Sequence, residues 1–331
     1  MSIPTPLRAA TGRHHYPLSG WLEAWAYVVV LTLLNLIYAI GHSLGAHAGA
    51  FILESMLIGS VALILVGEKG PSLRAILSTW QTWAFGWATV LTEFFFYLLI
   101  GRASPAEASL LTRLSLPIAL LIGWIGLRRV PVRQRRIGAA IVTAALAGLI
   151  AELPAGSRLT TTIYAVLASL AIALRAFFAE FHPWNRSAQT VRGKMAVTGK
   201  VVLATTALGL LLMAGHQLLE HAGLMGASRF VPTLAELLHG PTLALALLMG
   251  VAVITAMQYL IFSSSVKITS ENFSAVNAFV PVTTLIANYA IAALGLVARP
   301  SSGLFLATLM AITIAGVMLV LRAPAPRRKS D

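Results

Sequence analysis

Residues 106–127, AEASLLTRLSLPIALLIGWIGL, decide the fold, because they form an apolar segment long enough to cross a membrane. The segment contains one arginine, Arg113, and one proline, Pro117. A charge in the hydrocarbon core costs about 3 kcal/mol, so Arg113 is expected to face protein or a watery cavity instead of lipid. Pro117 cannot donate a backbone hydrogen bond, and its ring displaces the carbonyl group four positions earlier, which belongs to Arg113. The pattern predicts a broken membrane helix with a charge beside the break.

The whole chain has the composition of a membrane protein. Its 331 residues are 58% hydrophobic and 11% charged, with a mean hydropathy of +0.83. Such values exclude a soluble domain and predict an all-α integral membrane protein with ten transmembrane helices. The ten segments lie near residues 24–43, 49–67, 83–101, 106–127, 137–153, 161–181, 195–215, 241–265, 271–296 and 302–321.

The chain also repeats itself after 164 positions. This shift superposes Gly86 on Gly250, Glu107 on Glu271, Pro117 on Pro281 and Arg113 on Asn277. Each half then holds five spans, an odd number, so the halves cross the membrane in opposite senses. The sequence predicts two inverted five-helix repeats, residues 1–153 after a short cytoplasmic N-terminal segment and residues 154–331 with a basic tail. In transporters built this way, the substrate site lies where the repeats meet.

The basic residues are distributed as the positive-inside tendency requires. The net charge is +13, and with a cytoplasmic N-terminus 18 of the 24 Lys and Arg lie in cytoplasmic segments or at their helix ends. This predicts a bacterial inner-membrane protein with both termini cytoplasmic, whose basic clusters contact lipid head groups and no nucleic acid. The first twenty residues lack the apolar core of a cleavable signal peptide, so the first span is expected to serve as the targeting signal. The absence of cysteine excludes disulfides and thiol chemistry.

Polar residues inside the spans are the candidate site. The predicted substrate-binding residues are Arg113, Glu93, Asn277, Gln258, Tyr97, Asn35, Glu54 and Arg175. Thr89, Glu93 and Tyr97 form one stripe, and Glu93 is predicted to be the coupling carboxyl, because a deep carboxyl without a cation on its own helix takes up protons readily. Each residue has a structural alternative. Glu54 and Arg113 could form an ion pair, Arg175 could extend to the inner surface, and Tyr97 could be a packing aromatic.

The fifth and tenth spans carry stripes of small residues. The stripes are Ala140, Ala144 and Gly148, and Gly303, Ala307, Ala311 and Ala315. Small residues let helix backbones approach closely, so the stripes predict packing within the bundle or a homodimer through these two helices.

Two stretches of the sequence resemble a known family. The run LPIALLIGWIGLRRVPVRQRRIGAAIVTAALAGLI at 116–150 resembles the fourth and fifth helices of the drug/metabolite transporter superfamily, EamA type. FVPVTTLIANYAIAAL at 279–294 and AITIAGVMLVL at 311–321 resemble its ninth and tenth helices. The resemblance implies a central cavity lined by helices one to four and six to nine, open alternately to each side.

These features predict a secondary transporter of a small polar metabolite. An amino-acid-like solute that is exported, with proton coupling, fits one arginine for a carboxylate, one glutamate for an ammonium group or a proton, and amides for the rest. The alternative is an anionic or lipid-linked sugar or phosphate compound held by Arg113 and Arg175. A membrane enzyme is a more distant alternative, because no catalytic motif, cofactor motif or complete metal-ligand set is present. His216 and Glu220 lie one helical turn apart, but a solvated loop is the expected role of that region.

Overall fold

The computed structural model describes residues 17–228, 230–268, 273, 276–295, 303–323 and 327–328. Within these residues nine helices are long and apolar enough to cross a membrane. A shorter apolar helix, Val280–Ala293, occupies part of the predicted ninth span. The protein is therefore an all-α membrane protein, as its composition predicts. Glu271, one partner in the sequence repeat, lies outside the described residues.

Helices account for nearly all regular structure in the described chain. In order they are α1 Leu18–Ser43, α2 Ala48–Val66, α3 Leu73–Leu77, α4 Trp80–Ile100, α5 Pro105–Leu111, α6 Ser115–Leu127, α7 Arg133–Glu152, α8 Ala155–Phe181, α9 Pro183–Ser187, α10 Val191–His221, α11 Leu234–Leu237, α12 Gly240–Leu248, α13 Thr255–Ile268, α14 Val280–Ala293 and α15 Gly303–Arg322. Two short strands, β1 Arg129–Val130 and β2 Arg327–Arg328, pair in antiparallel fashion.

The fourth span is broken, as its proline predicts. One turn of 3₁₀ helix, Thr112–Leu114, separates α5 from α6 and contains Arg113. The break precedes Pro117, which lies in the first turn of α6, where a missing backbone N–H breaks no helical hydrogen bond. Pro281 has the equivalent place in the first turn of α14, and Asn277 precedes that helix. In both places the regular α-helix is interrupted just upstream of the proline.

The eighth span is also irregular. A π-helical segment, Met249–Ile254, joins α12 to α13. At Gly250 an added Cβ atom would lie 2.7 Å from the Ser55 carbonyl oxygen and 2.8 Å from the Gly59 nitrogen. Glycine is required here because the backbones of this segment and α2 touch directly.

The helices contact one another in a regular pattern. α1 packs against α13 and α14, and α8 packs against α4 and α6. α2 packs against α10 and α12, and α10 packs against α2 and α4. α5 contacts α14, and α7 contacts α15. Helices of the first half are thus paired with helices of the second half throughout the bundle.

The contact between α7 and α15 does not use the predicted stripes of small residues. An added Cβ on Gly138 would lie 2.5 Å from the Gly316 carbonyl oxygen, and these glycines bring the two helices together. The stripe residues Ala140, Ala144, Ala307, Ala311 and Ala315 are exposed instead. The interpretation of the stripes as packing within the bundle is wrong for these five residues, because spacing identifies a helix face without identifying its neighbour.

One end of the bundle is strongly basic, and we call it the basic end. It contains the end of α8, the start of α7 and strands β1 and β2, together with Arg128, Arg133 and Arg136. At the opposite end, the described residues include two arginines, Arg102 and Arg158. Arg158 caps the turn between the halves by donating hydrogen bonds to the Ala151 and Leu153 carbonyl oxygens.

Candidate functional site

A central cavity of about 170 Å³ lies between the two halves. Its polar lining comes from both halves. The residues of the predicted site that line it are Asn35, Glu93, Arg113, Arg175 and Asn277. They come from α1, α4, the 3₁₀ turn, α8 and the residues before α14. Five of the eight predicted residues therefore share one cavity.

Arg113 enters this cavity without a counter-charge. Among the described residues, no carboxylate lies within 4 Å of its guanidinium group, and its Nε atom is buried without a hydrogen-bond acceptor. The break before Pro117 places the side chain in a short 3₁₀ turn between two helices. A buried cation left in this state is costly, and an anionic ligand would compensate it.

Two amides line the same cavity. The Asn35 Nδ2 atom donates a hydrogen bond to Thr284 Oγ1 at 2.9 Å, which connects α1 to α14. The Asn35 Oδ1 atom is buried and has no partner among the described residues, and the same is true of Asn277 Oδ1. Asn35 itself is only 1% exposed. The cavity therefore offers two hydrogen-bond acceptors that no described residue uses.

Glu93 has no cation on its own helix, as the sequence indicates, but it is paired with residues of other helices. Its Oε1 atom accepts a hydrogen bond from Arg175 Nη1 at 3.4 Å, and its Oε2 atom accepts one from the Tyr38 hydroxyl at 2.8 Å. Both partners lie on other helices, so inspection of α4 alone could not identify them. Arg175 is accordingly a cavity residue, and the interpretation that it extends to the inner surface is wrong.

Two larger cavities adjoin the central one and extend towards the basic end. One, of about 390 Å³, shares Arg113, Ser115 and Asn277 with the central cavity and reaches Arg129 and Arg135. The other, of about 200 Å³, lies between α4, α8, α10 and α13. Gln258 and Thr89 line this second cavity, which shares Tyr27 and Arg175 with the central one. Gln258 therefore lies beside the central cavity and not in it.

The end of the cavity that faces away from the basic end is closed by aromatic packing. Tyr97 is fully buried against Tyr38, Phe51 and His42, and its hydroxyl donates a hydrogen bond to the Ala46 carbonyl oxygen at 2.9 Å. The prediction that Tyr97 lines the substrate site is not supported, since it is absent from the central cavity lining. On a helix of 3.6 residues per turn, side chains four positions apart differ in direction by about 40°. Tyr97 therefore points in a different direction from Glu93, towards α1 and α2.

Glu54 does not join the site either. It is 9% exposed, does not line the central cavity, and has a buried Oε2 atom without a hydrogen-bond partner. No described cation lies within 4 Å of its carboxylate, so the expected alternative of an ion pair with Arg113 is wrong. The reason is helix placement, because α2 packs mainly against α10, α12 and α4 and away from the 3₁₀ turn.

Tyr38 and Thr284 are the residues that sequence reasoning missed. Each makes a hydrogen bond to a predicted site residue, Glu93 and Asn35 respectively. Part of the signal was present in α1, where Tyr27, Leu31 and Asn35 line the cavity at helical spacing and Tyr38 continues the same face. The partners of Tyr38 and Thr284 lie on other helices, and the sequence does not reveal that.

An ion pair and a buried histidine lie at the basic end. Arg129 of β1 pairs with Glu180 near the end of α8 at 2.8 Å, and this hydrogen bond raises the pKa of Arg129. His182 is fully buried, and burial lowers the pKa of its imidazole. On α10, His216 lies 3.9 Å from Glu220. The described residues contain no cluster of three or more potential metal ligands.

Comparisons with known proteins indicate only a shared fold. No family model matches this chain, and no curated protein matches it. A solved structure described only as the crystal structure of a protein aligns with 91% of this chain and 97% of its own chain, at 18% identity and a TM-score of 0.53. A similarity at this level of sequence identity indicates a shared fold and gives no information about activity.

Proposed function

We propose that the protein is a secondary transporter that moves a small polar metabolite by alternating access through the central cavity. The observation that carries the proposal is the guanidinium group of Arg113, which lies in a cavity between the halves with a buried Nε atom and no acceptor among the described residues. A scaffold would not need such a charge, whereas a carrier needs a polar site enclosed by apolar helices. Cavities that reach the basic end, together with aromatic packing at the other end, correspond to one of the two states of such a cycle.

The inverted-repeat plan belongs to the same proposal. The helix contacts support it, because exchanging each span for the span five places along converts the pair α1–α13 into α4–α8 and the pair α2–α12 into α4–α10. Arg113 before Pro117 and Asn277 before Pro281 support it locally. We propose on this basis two five-helix repeats, residues 1–153 and 154–331, and membership of the drug/metabolite transporter superfamily.

The orientation and location are also proposed. The concentration of arginine at the basic end supports a cytoplasmic position for that end, and the pairing of β2 with β1 brings the C-terminal tail there. We propose a bacterial inner membrane with both termini cytoplasmic, contacts of the basic end with lipid head groups, and no contact with nucleic acid. The exposed stripes on α7 and α15 support a homodimer more than packing within one bundle.

The proposed substrate is a small, carboxylate-bearing, amino-acid-like metabolite, exported from the cell. A cavity of about 170 Å³ suits a solute of that size, and Arg113 is available for its carboxylate. One observation favours the second candidate, an anionic sugar or phosphate compound. The charged groups of the central cavity are two arginines and one glutamate, so the site is positive overall.

We also propose proton coupling through Glu93, with Arg175 and Tyr38 as the partners of its carboxyl group. In its ionised form Glu93 is compensated by Arg175 and Tyr38. Protonation would weaken the contact with Arg175 and release a cation on α8, which gives proton binding a direct effect on contacts between the halves. A group that changes inter-helix contacts on protonation can couple proton movement to alternating access.

Counterflow into proteoliposomes tests the proposal. Vesicles loaded with an unlabelled amino acid should accumulate the labelled compound transiently. The accumulated compound should be chemically unchanged when it is extracted. Vesicles with Arg113→Ala, matched for protein content, should not accumulate it. Accumulation of no amino acid and no sugar or phosphate compound would contradict transport, and a chemically altered product would favour an enzyme.

A further inference from the structure

The two unused amide acceptors, Asn35 Oδ1 and Asn277 Oδ1, are the starting point. They lie on opposite halves of the protein and line the same cavity as Arg113. Asn35 is held by its hydrogen bond to Thr284, so its oxygen is the amide atom left without a partner. Buried acceptors without donors are rare in folded proteins. Two of them, in one cavity with a guanidinium group that has no acceptor among the described residues, indicate a missing ligand.

Glu93 is the only carboxylate among the described residues that line this cavity, and both of its oxygen atoms already accept a hydrogen bond. One oxygen accepts from Tyr38 and the other accepts from Arg175. An ammonium group at Glu93 would compete with Arg175 for the same negative charge and would place two cations side by side in the cavity. A ligand cation is therefore expected to bind elsewhere.

Resting on the proposed function, we infer that Asn35 and Asn277 bind the amino group of the substrate while Arg113 binds its carboxylate. An ammonium group has three N–H donors and no acceptor, and an amide oxygen accepts without adding charge. The ligand then supplies an acceptor to Arg113 and donors to the two amides. Its class is an α-amino acid, and it connects α1 of the first half to the residues before α14 of the second.

Binding of matched analogues tests this assignment. For each amino acid that wild type transports, competition against the labelled compound gives affinities for the amino acid and for the same acid without its amino group. Wild type should prefer the amino acid by about tenfold or more, since the des-amino acid leaves both amide oxygens unpaired. Asn35→Leu and Asn277→Leu should each remove most of this preference and change the affinity for the des-amino acid by no more than about twofold.

Two further variants separate this role from its rivals. Thr284→Val leaves Asn35 in place but removes its anchor, so the preference should fall by an intermediate amount. Glu93→Gln should keep the preference, whatever it does to rates. The inference is overturned if wild type binds both acids equally, if Asn35→Leu and Asn277→Leu keep the preference, or if Glu93→Gln loses it. Should an asparagine variant fail to fold, the Thr284→Val and Glu93→Gln preferences still decide. Failure of the proposed function looks different, because wild type would then transport neither an amino acid nor a sugar or phosphate compound.

Discussion

The Arg175 guanidinium on α8 lies 3.4 Å from the Glu93 carboxylate on α4, so an ion pair joins the two halves of the protein inside the central cavity. The side chain of Arg175 is 25% exposed and that of Glu93 is 9% exposed. The Glu93 carboxylate is thus largely desolvated, whereas the Arg175 guanidinium group is accessible from the cavity. The pair fixes α8 against α4 in the state described here, and any movement that separates these helices must break it.

Breaking this pair from one side should destabilise the protein. Arg175→Ala removes the cation beside the buried Glu93 carboxyl group, and the cost should be about 2 kcal/mol, below the range for fully buried pairs because the arginine is partly exposed. The double variant Arg175→Ala with Glu93→Gln should recover most of that loss, because no unpaired charge remains. Thermal unfolding in detergent at neutral pH measures both. Equal destabilisation of the single and double variants would mean that packing, and not charge pairing, sets the cost.

Arg113→Ala should remove transport and leave a stable protein. Arg113 has no described carboxylate partner, so its loss strands no charge, and the unfolding free energy should fall by less than about 1 kcal/mol. Transport should fall by about 100-fold or more, as expected when a buried ligand anion loses its cation. Counterflow and thermal unfolding on the same preparation measure the two effects.

A double variant provides the control for that result. Adding Glu54→Ala to Arg113→Ala should not restore transport, because the two side chains form no pair. Restored activity would identify a structural lock between them and would contradict the assignment of Arg113 to the substrate.

Glu93→Gln should separate solute movement from the pH gradient. Glutamine has the shape of the protonated carboxyl and does not titrate, so exchange of labelled solute should persist while the response of net transport to an imposed pH gradient is lost. Glu54→Gln, a buried carboxyl outside the central cavity, is the matched control and should keep the response. A wild-type response in Glu93→Gln proteoliposomes would assign proton coupling to another group.

The sequence predicts the membrane-spanning helices well, but it predicts poorly which helices contact one another. Apolar length identifies helices such as α1 and α10, and the proline rule identifies the breaks before Pro117 and Pro281, because both effects are local. The partners of Glu93 come from α1 and α8, and which helices meet is decided by packing across the bundle. Tyr97 shows the same limit, since its spacing from Glu93 suggests a shared face and its real contacts are with α1 and α2.

His182 should make stability depend on pH below neutrality. Its Nε2 atom donates to Thr82 Oγ1 at 3.0 Å, since that hydroxyl donates onward to the Ile76 carbonyl oxygen, and its Nδ1 atom accepts from the Asn185 backbone N–H. A second proton has no place in this arrangement, and burial lowers the pKa from its ordinary value of 6.5. The unfolded chain therefore takes up the proton first, and stability is lost as pH falls below about 6.5.

His182→Gln tests that dependence. Glutamine cannot titrate, so the variant should be less stable than wild type at pH 7.5 but should lose less further stability between pH 6.5 and pH 5. Thermal unfolding across this range measures the slope. Parallel curves for the two proteins would assign the acid sensitivity to other groups.

Single-cysteine labelling should place the turn between the two halves on the outer side. The chain contains no cysteine, so each introduced thiol is labelled without background. Ser157 lies in the first turn of α8, at the end opposite the basic one, whereas exposed Ser187 is the last residue of α9, at the basic end. Ser330, in the tail beyond β2, lies outside the described residues. In intact cells an impermeant thiol reagent should label Ser157→Cys, and it should label Ser187→Cys and Ser330→Cys only after the membrane is opened. Labelling of Ser157→Cys and Ser330→Cys from the same side would contradict the plan of two five-helix repeats, since an odd number of crossings must separate them.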